Sequence, residues 1–231
     1  LLELVARAMN DDESRQELIK HVETLKNSDS ELSDNQTHRI DGATVDLGRA
    51  ARCGFGEVIF GEGKSAELVT RIIQTQLDQG QSAFITRIES GVAFQVRQSF
   101  THTQHNPVAR TLRVSNTELG PAQPLASDQL EQTFHAAVIT AGSTDLAVAE
   151  EAIETLAWMG IDFQRFDDIG VAGPQRLAAA IPDLKSASAV VVVAGMEGAL
   201  PAVVAGHLAV PVFAVPTSVG YGASLGGLTP L

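Results

Sequence analysis

Three short segments of this 231-residue chain combine glycine with hydroxyl or acidic residues, and each follows a run of apolar residues. They are "AGSTD" (141–145), "AGMEGALP" (194–201) and "VPTSVGYGAS" (215–224). Glycine lets the backbone approach a ligand closely, and hydroxyls together with the free N–H groups at a helix start can hold a phosphate. The pattern therefore predicts a phosphate-binding site built from three loops.

The first loop also has a purely structural interpretation. Ser143, Thr144 and Asp145, taken alone, are typical of an ordinary helix N-cap, because their side chains satisfy the unpaired N–H groups of any helix start. Similar residues recur after two further apolar runs of the chain. This recurrence at three strand exits favours ligand binding over simple capping.

The other two loops contain an acid and a tyrosine. Glu197 lies between Met196 and Gly198 at the end of "VVVVAG", where partial solvation at the edge of a sheet suits acid or base catalysis. Tyr221 is the only tyrosine of the chain and lies in a glycine-rich segment. Its position is compatible with either ligand contact or packing.

A further group of charged residues lies upstream, in "VDLGRAARCGFGEVIFGEGK" (45–64). Arg49 and Arg52 are one helical turn apart and could face the same anion, although a solvated helix face explains them equally well. The "GEGK" string that ends at Lys64 lacks the glycine spacing of a phosphate-binding P-loop.

Three other side chains carry weaker signals. His102 and His105 form an HxxH pair, which we interpret as exposed loop residues rather than metal ligands. Cys53, the only cysteine, is interpreted as a buried small hydrophobic residue rather than a nucleophile. A single cysteine excludes an internal disulfide.

Composition limits the classes of protein that are possible. Hydrophobic residues make up 44% and charged residues 19%, which is typical of a globular protein. A net charge of -12 disfavours nucleic acid and anionic membranes as partners. Because no basic segment precedes an apolar one near the start and no apolar run is long enough to cross a bilayer, we expect a cytoplasmic protein.

The pattern of apolar residues predicts the elements that position the loops. Predicted strands without polar alternation, each linked to a helical pattern, indicate a parallel sheet covered on both faces. The predicted strands are 136–142, 161–168, 189–195 and 210–218, and the predicted helices are 145–160, 174–187 and 200–208. This half is therefore a doubly wound α/β domain.

The first half predicts a smaller α/β unit. Its predicted elements are helices at 1–26, 45–55 and 65–80, with Ser65 as an N-cap, and strands at 57–61, 82–88 and 92–98. Residues from 101 onwards contain several prolines and no sustained periodicity, so they are expected to form a tail and a linker. The predicted division is N-terminal helices and linker (1–39), small α/β domain (40–115), linker (116–133) and second domain (134–231).

Four segments of the second half form a distinctive set: "VITAGSTDLAVAEEA", "DIGVAGPQRL", "VVVVAGMEGALPAVVAG" and "VPVFAVPTSVGYGASLGG". Together they resemble the LarB family, carboxylase/hydrolases of nickel-pincer nucleotide biosynthesis. The upstream segment 45–64 is similar to the same family, and the second half resembles more distantly the PurE class of aminoimidazole ribonucleotide carboxylases. The resemblance implies an α/β fold in which a doubly wound parallel sheet, PurE/flavodoxin-like, follows a smaller α/β N-terminal domain.

The resemblance implies an enzyme that carboxylates the pyridinium ring of nicotinic acid adenine dinucleotide with CO2 or bicarbonate. It also implies hydrolysis of the phosphoanhydride, which gives pyridinium-3,5-biscarboxylic acid mononucleotide and AMP. Glu197 would be the acid/base residue. The expected substrate-binding residues are Ser143, Thr144, Asp145, Gly195, Ser218, Gly220, Tyr221, Arg49 and Lys64. A homo-oligomer is expected, and Mg2+ is a possible cofactor on the phosphates.

The sequence departs from the family pattern at three places. Ser143 and Thr144 stand in reversed order, which retains both hydroxyls. Pro174 and Gln175 replace the isoleucine and histidine that are common in the family. The family's nucleophilic cysteine lies in an "NSC" segment beyond "GGLTPL", so we expect a trimmed terminus, and Cys53 does not inherit that role.

Two other functions remain open. A PurE-type aminoimidazole ribonucleotide carboxylase is disfavoured, because that class lacks the first domain and has a histidine-bearing loop where "AGMEGALP" stands. A nucleotide-binding module without turnover would use the same loops. It stays open because the chain lacks the cysteine that the resemblance implies.

Overall fold

The computed structural model describes residues 37–126 and 134–218, which form two units. The first contains β1 (Thr37–Ile40), β2 (Ala43–Asp46), α1 (Arg49–Cys53), β3 (Val58–Phe60), α2 (Ala66–Asp78), β4 (Ala83–Thr86), α3 (Ser90–Arg97), β5 (His102–Asn106) and β6 (Thr111–Ser115). The second contains β7 (His135–Thr140), a 3-10 turn (Ser143–Asp145), α4 (Leu146–Trp158), β8 (Asp162–Phe166), α5 (Pro174–Leu184), β9 (Ala189–Ala194), α6 (Ala199–Ala205) and β10 (Val212–Pro216). The helices predicted for 1–26 lie outside the described residues.

The second unit is a four-stranded parallel sheet in the order β8-β7-β9-β10. All six residues of β7 are buried, as expected of a central strand whose middle residues, 136–139, are apolar. In chain order this arrangement is 2-1-3-4, which is the flavodoxin-like order. Its topological switch point, where ligands collect, lies between β7 and β9.

Helices cover both faces of this sheet, which confirms the doubly wound prediction. On one face, Ala137, Ile139, Val190 and Val192 pack with Leu177 and Leu184 of α5 and with Leu200 and Val204 of α6. On the other face, Val138 and Val193 pack with Ala149 and Ile153 of α4. Burial of both faces explains why these strands carry no alternating polar residues.

The first unit is a mixed sheet in the order β3-β4-β6-β5, with a separate β1-β2 hairpin. Strands β3 and β4 are parallel, and β6 is antiparallel to both of its neighbours. Helix α2 buries an apolar face that includes Val69 and Ile73. The predicted cap is confirmed, because the Ser65 hydroxyl accepts a hydrogen bond from Leu68 N at 3.3 Å.

Four predictions for the first unit are wrong. Residues 102–106 and 111–115 form strands β5 and β6 rather than a tail, because Leu112 and Val114 of β6 are buried in the core of this unit. Residues 92–97 of the strand predicted at 92–98 belong to helix α3, since the buried pair Ala93 and Val96 has helical i, i+3 spacing. His102 and His105 lie partly buried in strand β5, not in a loop, because polar residues are tolerated in an edge strand that pairs with the buried β6. Cys53 is exposed instead of buried, because no residue of the short helix α1 is buried.

The outer face of α4 packs against the first unit. The Trp158 ring stacks on Phe84 with centroids 5.3 Å apart. Arg113 Nε donates to Glu154 Oε2 at 2.7 Å, and both side chains are less than 10% exposed. The Asn106 amide also donates to Glu154, at 3.2 Å. These contacts join the two units along α4, which begins at the exit of β7.

Candidate active site

The carboxyl ends of the parallel strands surround a cavity of about 470 Å³. It lies at the switch point that the strand order predicts, between the exits of β7 and β9. Its polar lining residues are Thr144, Asp145, Arg176 and Glu197. The rest of the lining consists of glycine and apolar residues: Ala141, Gly142, Gly170, Val171, Ala172, Ala194, Gly195, Met196, Ala199 and Leu200.

The three residues predicted at the end of β7 have different environments in the structure. Thr144 is exposed and lines the cavity, whereas Ser143 is exposed but is not part of the lining. Asp145 lines the cavity and is 4% exposed. Its Oδ2 accepts from Gly142 N at 3.0 Å and its Oδ1 from the Thr217 hydroxyl at 2.7 Å. Asp145 therefore fixes the shape of the loop while it contributes negative charge to the cavity wall.

A fourth loop, after β8, was not among the predicted binding loops. Gly170 sits so close to β7 that a Cβ there would lie 2.5 Å from the carbonyl oxygen of Ala141, so only glycine fits. This approach brings the first turn of α5 to the cavity. Arg176 of that turn lines the cavity and forms an ion pair with Asp168.

Arg176 is the only cation among the described lining residues, and sequence reasoning missed it. The signal was present in "GVAGPQRL", where glycines and an N1 proline place an arginine in the first turn of a helix that follows a strand. Asp168, its partner, has a left-handed φ of 56°. The Asp168 backbone N–H donates to the Thr140 hydroxyl at 2.9 Å, which ties this loop to the end of β7.

The β9 loop places Glu197 at the mouth of the cavity. Gly198 N donates to the Gly195 carbonyl at 3.1 Å, which closes a tight turn around Met196 and Glu197. The side chain of Glu197 is exposed, so its solvation is greater than we predicted. Two residues of this loop, Met196 and Gly198, have positive φ values of 54° and 67°.

The remaining predicted residues do not line the cavity or cannot be placed. Ser218 follows β10 and is exposed outside the described lining, while Gly220 and Tyr221 lie outside the described residues. Lys64 Nζ donates to the Phe60 carbonyl at 2.7 Å on the first unit. Arg49 covers the ring of Phe55, which in turn contacts Trp158 at the far end of α4. The helix separates that end from the cavity by about 20 Å.

The carboxylates near the cavity do not form a cation site by themselves. Asp145 uses both oxygens in hydrogen bonds and Asp168 pairs with Arg176, which leaves Glu197 as an exposed single acid. Among residues 37–126 and 134–218 there is no group of three or more His, Cys, Asp or Glu suited to a metal ion. These residues do not fit a protein-held Mg2+.

Comparison with known proteins identifies the class and then the family. A family model described as AIR carboxylase matches residues 135–229, so the unit that carries the cavity is an AIR carboxylase domain. A model described as LarB/PurE-like N-terminal domain matches residues 37–116. The uncharacterized protein MJ0165 of Methanocaldococcus jannaschii is 32% identical over 194 residues, which span 81% of this chain and 71% of that protein. The chain belongs to the LarB family, which is a carboxylase-type family of enzymes.

The structure also bears on membrane association. Within the part of the chain that the structure describes, no helix has the length and apolar character required to cross a membrane.

Proposed function

We propose that this protein carboxylates the pyridinium ring of nicotinic acid adenine dinucleotide with CO2 or bicarbonate and hydrolyses its phosphoanhydride. The products would be pyridinium-3,5-biscarboxylic acid mononucleotide and AMP. The observation that carries the proposal is that one cavity joins an arginine, a helix start with an exposed threonine, and an acid at its mouth. The order of the two family matches, N-terminal LarB-like and then AIR carboxylase, supports the same function.

Arg176 and Thr144 would bind the anionic part of the substrate. The whole chain carries a net charge of -12, so an anion needs a local cation to be attracted to this surface. Arg176 is 41% exposed and its partner Asp168 is 57% exposed, so the ion pair is open to solvent. An incoming phosphate or carboxylate can take over hydrogen bonds from the guanidinium without leaving a buried charge unpaired.

Glu197 would move the proton in the carboxylation step. A thiolate adds to the cationic ring and makes a neighbouring ring carbon electron-rich, and that carbon forms a bond to CO2. The new carboxylated carbon still carries a hydrogen. Glu197 removes it as a proton, and expulsion of the thiolate then restores the aromatic ring. The described lining contains no cysteine, so the steps assigned to this cavity are binding and proton transfer.

The test uses the natural full-length protein with nicotinic acid adenine dinucleotide and 13C-labelled bicarbonate. We expect release of AMP and a pyridinium product that carries the label. Glu197→Gln keeps the shape of the side chain but removes the titratable proton, so turnover should fall by about 10²- to 10⁴-fold while dinucleotide binding persists. Turnover of Glu197→Gln within a few-fold of wild type would contradict the role of Glu197.

The match to the AIR carboxylase model favours one second candidate, a PurE-type aminoimidazole ribonucleotide carboxylase. The same assay with aminoimidazole ribonucleotide separates the two. Carboxylation of that substrate, with no AMP released from the dinucleotide, would replace our proposal by this candidate. Binding of the dinucleotide without turnover of either substrate would indicate a non-catalytic nucleotide-binding module.

A further inference from the structure

Met196 occupies a position that is unfavourable for methionine. It is the first central residue of the turn closed by the hydrogen bond from Gly198 N to the Gly195 carbonyl, and its φ is 54°. Turns that need a positive φ at this position nearly always have Gly, Asn or Asp there, because other side chains crowd the backbone. Glycine stands at both ends of this turn, at positions 195 and 198, but not at the central position that has the positive φ.

Packing does not explain the methionine. Its side chain is 39% exposed, so it contributes little to the core, although it lines the cavity. Leu200, by contrast, also lines the cavity but is only 2% exposed and belongs to the core. A costly backbone conformation that presents an exposed apolar side chain to a cavity indicates a ligand contact.

The residue types that line the cavity indicate which kind of ligand Met196 would contact. No aromatic side chain is present in the described lining, so a flat ring would find no stacking partner of the usual kind. A methionine thioether is polarizable and makes favourable contacts with aromatic rings. Met196 stands beside Glu197, the acid at the mouth of the cavity.

We propose that Met196 covers the planar ring of the substrate and thereby sets the specificity of the cavity for an aromatic heterocycle. This inference rests on the proposed function, in which the ring is a pyridinium and Glu197 removes a proton from it. The left-handed turn holds the thioether over the ring while the adjacent carboxylate reaches the ring carbon. Met196 is thus a specificity-determining residue that touches the substrate.

The experiment uses substitutions of Met196 that distinguish the contact made by its side chain from the strain in its backbone. Met196→Gly and Met196→Asn keep the turn, because both residues tolerate a positive φ, but they remove the apolar contact. Met196→Leu keeps an apolar side chain and the strained backbone. Met159→Asn is the matched control, since Met159 is 42% exposed at the far end of α4. Affinity for nicotinic acid adenine dinucleotide, KM, kcat and Tm are measured for each.

We expect Met196→Gly and Met196→Asn to weaken binding and raise KM by about 5- to 10-fold, with kcat nearly unchanged. Their Tm should stay equal or rise by about 2–4 °C, because the backbone strain is relieved. Met196→Leu should bind within about threefold of wild type, and Met159→Asn should bind like wild type.

Three results would overturn the inference, and only the last of them would also overturn the proposed function. If wild type binds the dinucleotide and the Gly and Asn variants bind it equally well, the ring contact is wrong while the proposed function stands. A fall in kcat without a change in KM also excludes the ring contact, because Met196 would then only position Glu197. If wild type neither binds nor converts the dinucleotide, the proposed function fails and this inference fails with it.

Discussion

The hydroxyl of Thr217 donates a hydrogen bond to Asp145 Oδ1 at 2.7 Å, and both residues are almost completely buried. This contact joins the loop after β7 to the loop after β10, although the two residues are 72 positions apart in the chain. The second oxygen of Asp145 holds its own loop through Gly142 N. The shape of the cavity wall therefore depends on one buried carboxylate that accepts hydrogen bonds from two donors.

We predict that Asp145→Asn destabilises the protein by about 1–3 kcal/mol, because the amide NH2 would face a donor and leave it unsatisfied. Urea denaturation measures the change in the free energy of unfolding. Ser143→Ala is the control: Ser143 is exposed in the same loop, and its replacement should change stability by about 0.5 kcal/mol or less. Equal stability of Asp145→Asn and wild type would show that the buried pair does not hold the two loops.

A second prediction concerns anion recognition by Arg176. Replacing it with alanine removes charge-assisted hydrogen bonds and should weaken dinucleotide binding by about 10- to 100-fold. Arg176→Lys keeps the charge but not the planar guanidinium, so it should recover only part of this loss. Titration calorimetry measures both variants. Arg97→Ala on α3 makes the same change of charge away from the cavity and should bind like wild type, whereas equal losses at both sites would indicate a general charge effect.

The third prediction concerns His105, which lines a smaller cavity between the two units. Burial lowers the pKa of His105 below its ordinary value of 6.5, and the positive charge of Arg97 lowers it further. Below that ordinary value the unfolded chain binds more protons than the folded protein, so stability falls as the pH drops from neutral through 6.5 towards the lowered pKa. His105→Gln should remove this part of the pH dependence.

Denaturation at about pH 7.5 and about pH 5.5 measures the effect, as a difference in the free energy of unfolding between the two conditions. His102→Gln in the same strand is the control, because it leaves His105 in place and should keep the pH dependence. If His105→Gln loses as much stability on acidification as wild type, another group is responsible.

The fourth prediction concerns Cys53. It is exposed on α1, in the unit that contacts the far end of α4 through Phe55, and it does not line the cavity. Cys53→Ser should therefore leave turnover of the dinucleotide by the natural full-length protein within about twofold of wild type. Mass spectrometry of protein incubated with substrate adds a direct check. A covalent adduct that disappears in Cys53→Ser would make this thiol the nucleophile and would contradict our proposal.

The second unit could be predicted from the sequence because its central strands, β7 and β9, are buried on both faces. Continuous apolar runs such as 189–194 allow few other interpretations, and the loops that follow them fix the edge at which ligands bind. Residues 92–98 were harder, since alternating Val92, Phe94 and Val96 fit a strand as well as a helix over so short a length. Strand β5 is polar and forms only because β6 offers it an edge.

Parts of the site depend on contacts that no local pattern contains. The hydrogen bond from Thr217 to Asp145 forms where two loops that are distant in the sequence meet. The close contact of Gly170 with the backbone of Ala141 arises in the same way. Arg176 lines the cavity because the close contact between Gly170 and Ala141 brings the start of α5 to it. Thr144 and Glu197 could be chosen as candidate site residues from the sequence, but the exposure of Glu197 could not be predicted from it.

Helix α4 has consequences for how this protein can evolve. One side of the helix completes the core of the parallel sheet through Ala149 and Ile153, and the other holds Glu154 against Arg113 and Trp158 against Phe84. A gene fragment that encoded the second unit alone would present a tryptophan and an unpaired carboxylate to solvent. Recombination could not move that unit into another protein without new partners for this helix. The two segments are therefore expected to be inherited together, and substitutions along their seam should occur in matched pairs.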